Sequence, residues 1–203
     1  MTLDIRGSLK NTKINNNSFI VVDELFSNAI DSYLIRKNAE PNIEGLSVNF
    51  EIELFPLELD GSKLEFKIIC TDNGAGFGNE QVKAFVTKDT SYKDDLSIAG
   101  ISKCRGSGRI QYLHYFNKIG IDSVYKLADQ TYRRQLTVDI TSTKGIDEDS
   151  FSSKVSDVNE EVKTTITLDA IKPEIYERFF SGSDLKEMLS ADSVRNYVLI
   201  SFL

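Results

Sequence analysis

Three polar side chains recur at one-turn spacing along a stretch whose apolar pattern predicts a helix. Glu24, Asn28 and Asp31 stand at i, i+4 and i+7, so they form one column on the helix surface. A carboxylate can orient and deprotonate a water molecule. An amide oxygen one turn away can coordinate a hard cation such as Mg²⁺, which takes oxygen ligands and carries phosphate with it. The plainer alternative is an ordinary solvated helix face.

A glycine-rich turn follows the second predicted strand. Asp72 stands at the end of that strand and is followed by Gly74, Gly76 and Gly78. Glycines there would let a flat ligand approach the backbone closely, and Asp72 would accept a hydrogen bond from an exocyclic amine. A buried acceptor of this kind discriminates against ligands that lack the donor. The alternative is a tight strand-to-helix turn without a ligand.

A second glycine segment opens a later predicted helix. Glycine N–H groups at a helix N-terminus can bind an anion, and basic side chains beside them add positive charge. The spacing is not that of a P-loop, and a flexible loop is the alternative. The candidate residues of this segment are Gly100, Lys103, Arg105, Gly106, Ser107 and Gly108.

Hydrophobic periodicity predicts the elements that would position these residues. Apolar residues at helical spacing predict a helix over 18–38, with Ser18 as its N-cap. Period-two alternation predicts strands over 46–57 and 63–71, joined through a turn at Asp60–Gly61.

The rest of the chain continues this alternation of helices and strands. Segment 87–108 has no steady period, and 144–162 is predicted to be an acidic loop. The order predicts one α+β domain over 1–203, a two-layer sandwich of a mixed, mostly antiparallel sheet with helices on one face. The remaining predicted elements are helices 79–86 and 107–116, strands 119–127, 132–141 and 164–171, and helices 173–180 and 184–200.

The composition excludes several classes of function. The chain has 203 residues, with 24 basic and 31 acidic side chains and a formal net charge of −7. A pI near 4.9 argues against direct nucleic-acid binding by this domain, because phosphate backbones are bound by clustered Lys and Arg. A nucleotide needs only a few positioned groups, so that class of ligand stays open.

Cysteine and histidine content narrows the chemistry further. Cys70 and Cys104 lack CxxC spacing, so we expect reduced thiols in a cytoplasmic protein. The single histidine, His114, argues against histidine metal sites and triads, and we expect it to be packed or hydrogen-bonded. No signal peptide and no apolar run of roughly 20 residues is present, so we expect no membrane association. The apolar stretch 197–203 leads us to expect the N-terminal part of a longer protein.

The motifs over residues 18–168, taken in order, resemble the GHKL ATPase domain, which gyrase B, ninety-kilodalton heat-shock chaperones, histidine kinases and MutL share. The resemblance implies a Bergerat-type fold that binds ATP and Mg²⁺. The motifs are Glu24-x-x-x-Asn28-x-x-Asp31, Asp72-x-Gly74-x-Gly76, Gly100-x5-Gly106-x-Gly108 and Lys163-Thr164-Thr165-Ile166.

The resemblance also implies roles for the acidic and amide side chains. Glu24 matches the general base for water attack on the γ-phosphate, and Asn28 matches the Mg²⁺ ligand. Asp31 matches the third helix position beside the nucleotide. Asp72 matches the acid that binds the adenine amine.

The glycines and a late threonine complete the implied nucleotide site. Gly74 and Gly76 match the glycines beside the base, and Thr164 matches a strand threonine near the adenine. Lys163 stands where the family often has glycine, which leaves Thr165 as a rival for that threonine. The lid over the triphosphate, with the phosphate-binding helix start, matches 87–108 and its residues Gly100, Lys103, Arg105, Gly106, Ser107 and Gly108.

Asp31 stands where histidine kinases usually have Lys or Arg, which favours the gyrase, chaperone, MutL and MORC side of the family. Segments 90–93 and 103–116 resemble bacterial MORC-like or stand-alone ATP-binding proteins most. The resemblance implies slow Mg²⁺-dependent ATP hydrolysis that drives a conformational or dimerisation switch in a DNA-maintenance or phage-defence system. A homodimer on ATP binding and a further domain or partner subunit are implied with it. The alternatives are a nucleotide-binding docking module without hydrolysis, a histidine-kinase-type catalytic domain and an α+β interaction domain without a nucleotide.

Overall fold

A six-stranded sheet, with strand order β2-β3-β8-β4-β5-β7, carries the polar residues discussed above. The computed structural model describes residues 2–57, 64–87, 90–101, 108–157 and 160–202. Within these ranges β1 and β6 form a second, two-stranded sheet. The strands are β1 Thr2–Asp4, β2 Val48–Pro56, β3 Leu64–Asp72, β4 Phe116–Leu127, β5 Gln130–Asp139, β6 Gly145–Asp147, β7 Ser152–Val155 and β8 Lys163–Ile171.

Helices supply the second layer. The long helix α2 contacts β3 and α5, and α5 leads directly into β4. The helices in the described ranges are α1 Ile5–Asn11, α2 Ile20–Ala39, α3 Asn79–Val86, α4 Tyr92–Asp95, α5 Gly108–Tyr115, α6 Pro173–Phe179, α7 Leu185–Met188 and α8 Ala191–Phe202.

The core lies between the sheet and these helices. Phe66, Ile68 and Cys70 are buried at alternate positions of β3, as a period-two strand with one face on the core requires. They pack in one apolar cluster with Leu25 of α2 and Ile110 of α5. This arrangement confirms the predicted α+β class. All strand pairings among the described residues are antiparallel, so the sheet in these ranges is not mixed.

The predicted acidic loop 144–162 is wrong in part, because it contains β6, a 3₁₀ turn at Glu148–Ser150 and β7. Strands of three or four residues are too short to show alternation in the sequence. Ile146 of β6 is fully buried and pairs with Leu3 of β1, so these strands depend on contact between distant parts of the chain. For the same reason β1 and α1 escape prediction from the sequence.

Two of the helix predictions also differ from the structure. The N-cap of α2 is Phe19 and not Ser18. The Phe19 N–H donates to Oδ1 of Asn17. The predicted helix 184–200 is two helices, α7 and α8. The Ser190 hydroxyl, just before α8, accepts a hydrogen bond from the Ser193 N–H and starts the new helix. No helix in the described ranges is both long and apolar enough to cross a membrane.

Candidate functional site

The strand register sets four polar side chains in a row across the core side of the sheet. Asp72 of β3 pairs with Thr164 of β8, which pairs with Ser123 of β4, and Ser123 pairs with Arg134 of β5. All four are buried. Directly paired residues point to the same sheet face, so the row continues the face that carries Cys70 and the core.

A cavity of about 310 Å³ lies between α2 and the part of this row formed by Asp72 and Thr164. Its size is within the range of small-molecule sites, and apolar and polar groups both line it. The predicted site residues that line it are Glu24, Asn28, Asp31, Asp72, Gly76, Gly108 and Thr164.

The polar column of α2 points into this cavity. Glu24, Asn28 and Asp31 all line it, and Asp31 is only 1% exposed. The reading of this column as a solvated helix face is therefore wrong. The helix turns its apolar side, with Val22 and Leu25, into the core and its polar column towards the cavity.

Asn28 is held from two sides. Its Nδ2 donates to the Tyr112 hydroxyl at 3.1 Å, and its Oδ1 accepts from Lys93 Nζ at 2.8 Å. Lys93 Nζ also lies 2.6 Å from Asp31 Oδ2. Burial raises the pKa of Tyr112 well above its usual value, so this phenol stays protonated.

The Asn28 side chain offers an oxygen atom of the kind that hard cations bind. The Asn28 oxygen already accepts from a cation, the Lys93 ammonium, and an amide oxygen suits Mg²⁺. Among the described residues no group of three or more His, Cys, Asp or Glu could hold a metal. Asn28 is the residue of this column whose amide oxygen could hold Mg²⁺.

Asp72 forms the opposite end of the cavity. Its Oδ1 accepts from the Gly74 N–H at 2.8 Å, and the residue is 7% exposed. Burial raises the pKa of Asp72 to about 7. The hydrogen bond from the Gly74 N–H acts in the opposite direction but is the smaller effect. The carboxyl group therefore titrates near neutral pH and is suited to meet a donor from a ligand.

The glycines at this end have steric reasons to be glycine. A Cβ on Gly74 would collide with the Ser32 hydroxyl. Gly76 has φ +80°, and a Cβ there would lie 2.5 Å from the Val124 carbonyl oxygen. Gly76 lines the cavity, whereas Gly74 shapes the turn behind it.

Thr164 joins the turn to the sheet through one hydroxyl network. Ser123 Oγ donates to the Lys163 carbonyl at 3.0 Å and lies 2.9 Å from Thr164 Oγ1. The same Ser123 oxygen accepts from the Phe77 N–H at 2.8 Å. Thr165 instead lies 3.0 Å from Thr71 Oγ1, one position along each strand and on the other sheet face. Of the two rival threonines, only Thr164 lines the cavity.

The second glycine segment is described only at its ends. Gly108 starts α5 and lines the cavity, and a Cβ there would collide with the Glu24 carboxylate. Gly100 has φ +86° but is not part of the cavity lining. The predicted residues Lys103, Arg105, Gly106 and Ser107 lie outside the described residues, as does Cys104.

Several cavity residues escaped prediction from the sequence. Lys93 was part of the predicted lid, but no pattern linked it to Asn28 and Asp31. No sequence pattern singles out Tyr112 or Arg109, yet both line the cavity. Arg109 donates to the Thr87 carbonyl at 2.5 Å. The positive charge of Lys93 in the predicted lid, opposite the polar column of α2, is a signal that could have suggested a contact. It would not have identified Asn28 and Asp31 as the partners.

His114 is hydrogen-bonded and Cys70 is a free thiol, as the sequence predicts. His114 Nε2 donates to the Thr12 carbonyl at 2.7 Å, and burial lowers its pKa. Cys70 is a buried free thiol on the cavity floor. Burial raises its pKa, so it stays neutral.

No family model matches the chain, and no curated protein matches it.

Proposed function

We propose that this chain is a GHKL-type domain that binds ATP and hydrolyses it slowly with Mg²⁺. The observation that carries the proposal is convergence. Residues far apart in the sequence, Glu24, Asn28, Asp72, Gly108 and Thr164, line one cavity.

The adenine would bind at the Asp72 end. A donor from the exocyclic amine would meet the Asp72 carboxyl, which is buried and fixed by the Gly74 N–H. Phe77, Phe85 and Ile166 line the same cavity and offer apolar contact to a flat ring. A guanine would present an oxygen where the amine stands and would leave Asp72 without a donor.

The triphosphate would extend towards α2 and the start of α5. Asn28 Oδ1 would hold Mg²⁺, which neutralises phosphate charge when it is bound. Gly108, the first residue of α5, lines the same cavity, so the partial positive charge of this helix start would favour a phosphate there. The missing Cβ of Gly108 lets the Glu24 carboxylate lie close to the start of α5.

Glu24 would orient the water that attacks the γ-phosphate. It lines the cavity one helix turn from Asn28, so base and metal ligand reach the same region. Tyr112 supports this arrangement because its hydroxyl fixes the Asn28 amide from behind.

A phosphate-release assay tests the hydrolytic part of the proposal. Glu24→Gln should retain binding of a non-hydrolysable ATP analogue while phosphate release falls about 10²- to 10⁴-fold, the usual worth of a general base. Glu51→Gln, the same change at an exposed residue of β2, is the matched control and should leave the rate unchanged. Equal rates for wild type and Glu24→Gln would overturn the role of Glu24.

A second candidate is nucleotide binding without turnover, as in a docking module. The contact between Lys93 and both Asn28 and Asp31 favours it, because a cation already occupies the oxygen that a metal would use. Binding of the analogue together with no phosphate release above a Glu24→Gln background would select this candidate.

The resemblance further leads us to propose that ATP drives a conformational or dimerisation switch, with a further domain or partner subunit. Light scattering during size-exclusion chromatography, with and without the ATP analogue, tests the dimerisation part. A doubled mass with the analogue supports it, and an unchanged mass contradicts it.

A further inference from the structure

We propose that Lys93 is an internal cation that competes with Mg²⁺ for the Asn28 oxygen and ties α4 to α2 until metal-bound nucleotide arrives. This inference rests on the proposed function.

The contact joins two parts of the chain that are distant in sequence. Lys93 Nζ lies 2.8 Å from Asn28 Oδ1 and 2.6 Å from Asp31 Oδ2. The Lys93 side chain is 24% exposed and that of Asp31 is 1% exposed. Hydrogen bonds between charged groups with this little access to water are stronger than exposed pairs.

Burial of Asp31 gives the pairing an electrostatic reason. A buried carboxylate is costly unless a cation or several donors compensate it. Lys93 supplies that charge, and the ammonium then reaches Asn28 because the two acceptors are about one helix turn apart. The ammonium thus takes the position that a metal would need.

Tyr112 prevents an easy escape by rotation of the amide. Because Asn28 Nδ2 donates to the Tyr112 hydroxyl, Oδ1 stays directed towards Lys93. A metal and an ammonium on the same oxygen would lie a few ångströms apart and repel each other. Binding of the metal therefore requires Lys93 to leave Asn28.

Departure of Lys93 would free α4 from α2. None of the four residues Tyr92–Asp95 is buried. The Tyr92 hydroxyl accepts from Gln81 Nε2 of α3 at 2.9 Å, and Lys93 supplies the contact to α2. Loading of metal-bound nucleotide is thereby coupled to a change in the segment 90–101.

The first test measures how much Mg²⁺ nucleotide binding needs. Calorimetry with a non-hydrolysable ATP analogue at a series of Mg²⁺ concentrations gives the concentration at which half of the Mg²⁺-dependent gain in affinity is reached. Lys93→Met should lower that concentration about tenfold, a typical coupling between two sites. Lys83→Met is the matched control, since Lys83 pairs with Glu80 on the exposed side of α3. It should behave as wild type.

Loss of Lys93 alone leaves Asp31 buried without its cation, so the variant can fail to fold. The double variant Asp31→Asn/Lys93→Met removes both charges and should show the same lowered Mg²⁺ requirement. An unchanged or raised requirement in the folded variant overturns the inference and leaves the proposed function standing. A wild-type protein that binds no analogue at any Mg²⁺ concentration overturns both.

A second measurement needs no nucleotide. An amine-reactive acetylating reagent with mass spectrometry compares the labelling rates of Lys93 and Lys83 in the wild-type protein. Lys93 should label at least several-fold more slowly, and Asp31→Asn should raise its rate towards that of Lys83. Equal rates for the two lysines in the wild-type protein would show that the contact does not persist and would overturn the inference.

Discussion

The two walls of the cavity are built differently. The inner wall consists of regular elements, α2, β3 and β8, whose backbone hydrogen bonds fix Asp72 and Thr164 in register. The outer wall consists of short or irregular pieces, with Lys93 on the four-residue helix α4 and Gly108 at the start of α5. The inner wall can hold a base in fixed geometry, while the outer wall can change its contacts when a ligand binds.

The largest expected effect concerns the inner wall and its buried acid. The pKa of Asp72 is about 7 in the fold against 3.8 ordinarily, because burial disfavours the charged form. Between these values the native state binds more protons than the unfolded state, so Asp72 lowers the unfolding free energy as pH rises from about 4 to 7. Three pKa units correspond to at most about 4 kcal/mol.

Denaturant unfolding of wild type and Asp72→Asn at pH 4.5 to 8 checks this expectation. The asparagine variant lacks the titrating group, so its stability should decline less over this range. Parallel profiles for the two proteins would show that Asp72 is ionised in the fold at all these pH values.

On the outer wall, Gly108→Ala should impair catalysis more than stability. The new Cβ collides with the Glu24 carboxylate and shifts the group that orients water. A misplacement of about 1 Å can cost on the order of 10²-fold in rate. Gly45→Ala is the control, because nothing lies within 4 Å of its Cβ position. Phosphate release at the wild-type rate in Gly108→Ala would separate Gly108 from the catalytic geometry.

Gly76→Ala, in the turn that follows β3 of the inner wall, should lower the free energy of unfolding. Gly76 and Gly182 both have φ +80°, but only at Gly76 would a Cβ meet backbone, the Val124 carbonyl oxygen. Gly182→Ala should cost about 1 kcal/mol from the left-handed conformation alone. Gly76→Ala should cost about 2 kcal/mol or more, measured by denaturant unfolding. Equal losses would mean that the turn can move away from β4.

The smallest expected effect concerns Tyr112 of α5, which contacts Asn28 of α2. Tyr112→Phe removes the acceptor of Asn28 Nδ2, which should cost about 1 kcal/mol and raise the Mg²⁺ requirement of nucleotide binding a few-fold. Tyr115→Phe on the same helix removes hydrogen bonds to the Asn15 and Asn17 carbonyls. It should cost similar stability without any change in Mg²⁺ dependence. If both variants alter the Mg²⁺ requirement alike, Tyr112 has no special relation to Asn28.

The inner wall was largely predictable from the sequence because its geometry follows from repeating backbone structure. The 3.6-residue period set Glu24, Asn28 and Asp31 on one side of α2, and the structure turns that side to the cavity. The helix 79–86 was predicted with the bounds that α3 has. The choice between Thr164 and Thr165 needed the strand register, since a shift by one residue reverses the sheet face.

The outer wall was not predictable in the same way. Lys93 lies in a segment without a steady period, and its ion pair to Asp31 spans 62 positions. Such contacts depend on how the chain folds back and leave no local pattern. The small sheet of β1 and β6 was not predicted for the same reason. Leu3 and Ile146 pair across it although they are far apart in the sequence.

Calorimetric titration with a non-hydrolysable ATP analogue, with and without Mg²⁺, tests nucleotide binding in this cavity directly. We expect binding at one site that Mg²⁺ strengthens and that Asp72→Asn and Asn28→Ala each weaken. We expect a GTP analogue not to bind in this way. Absence of binding at millimolar analogue, or binding indifferent to both substitutions, would contradict it.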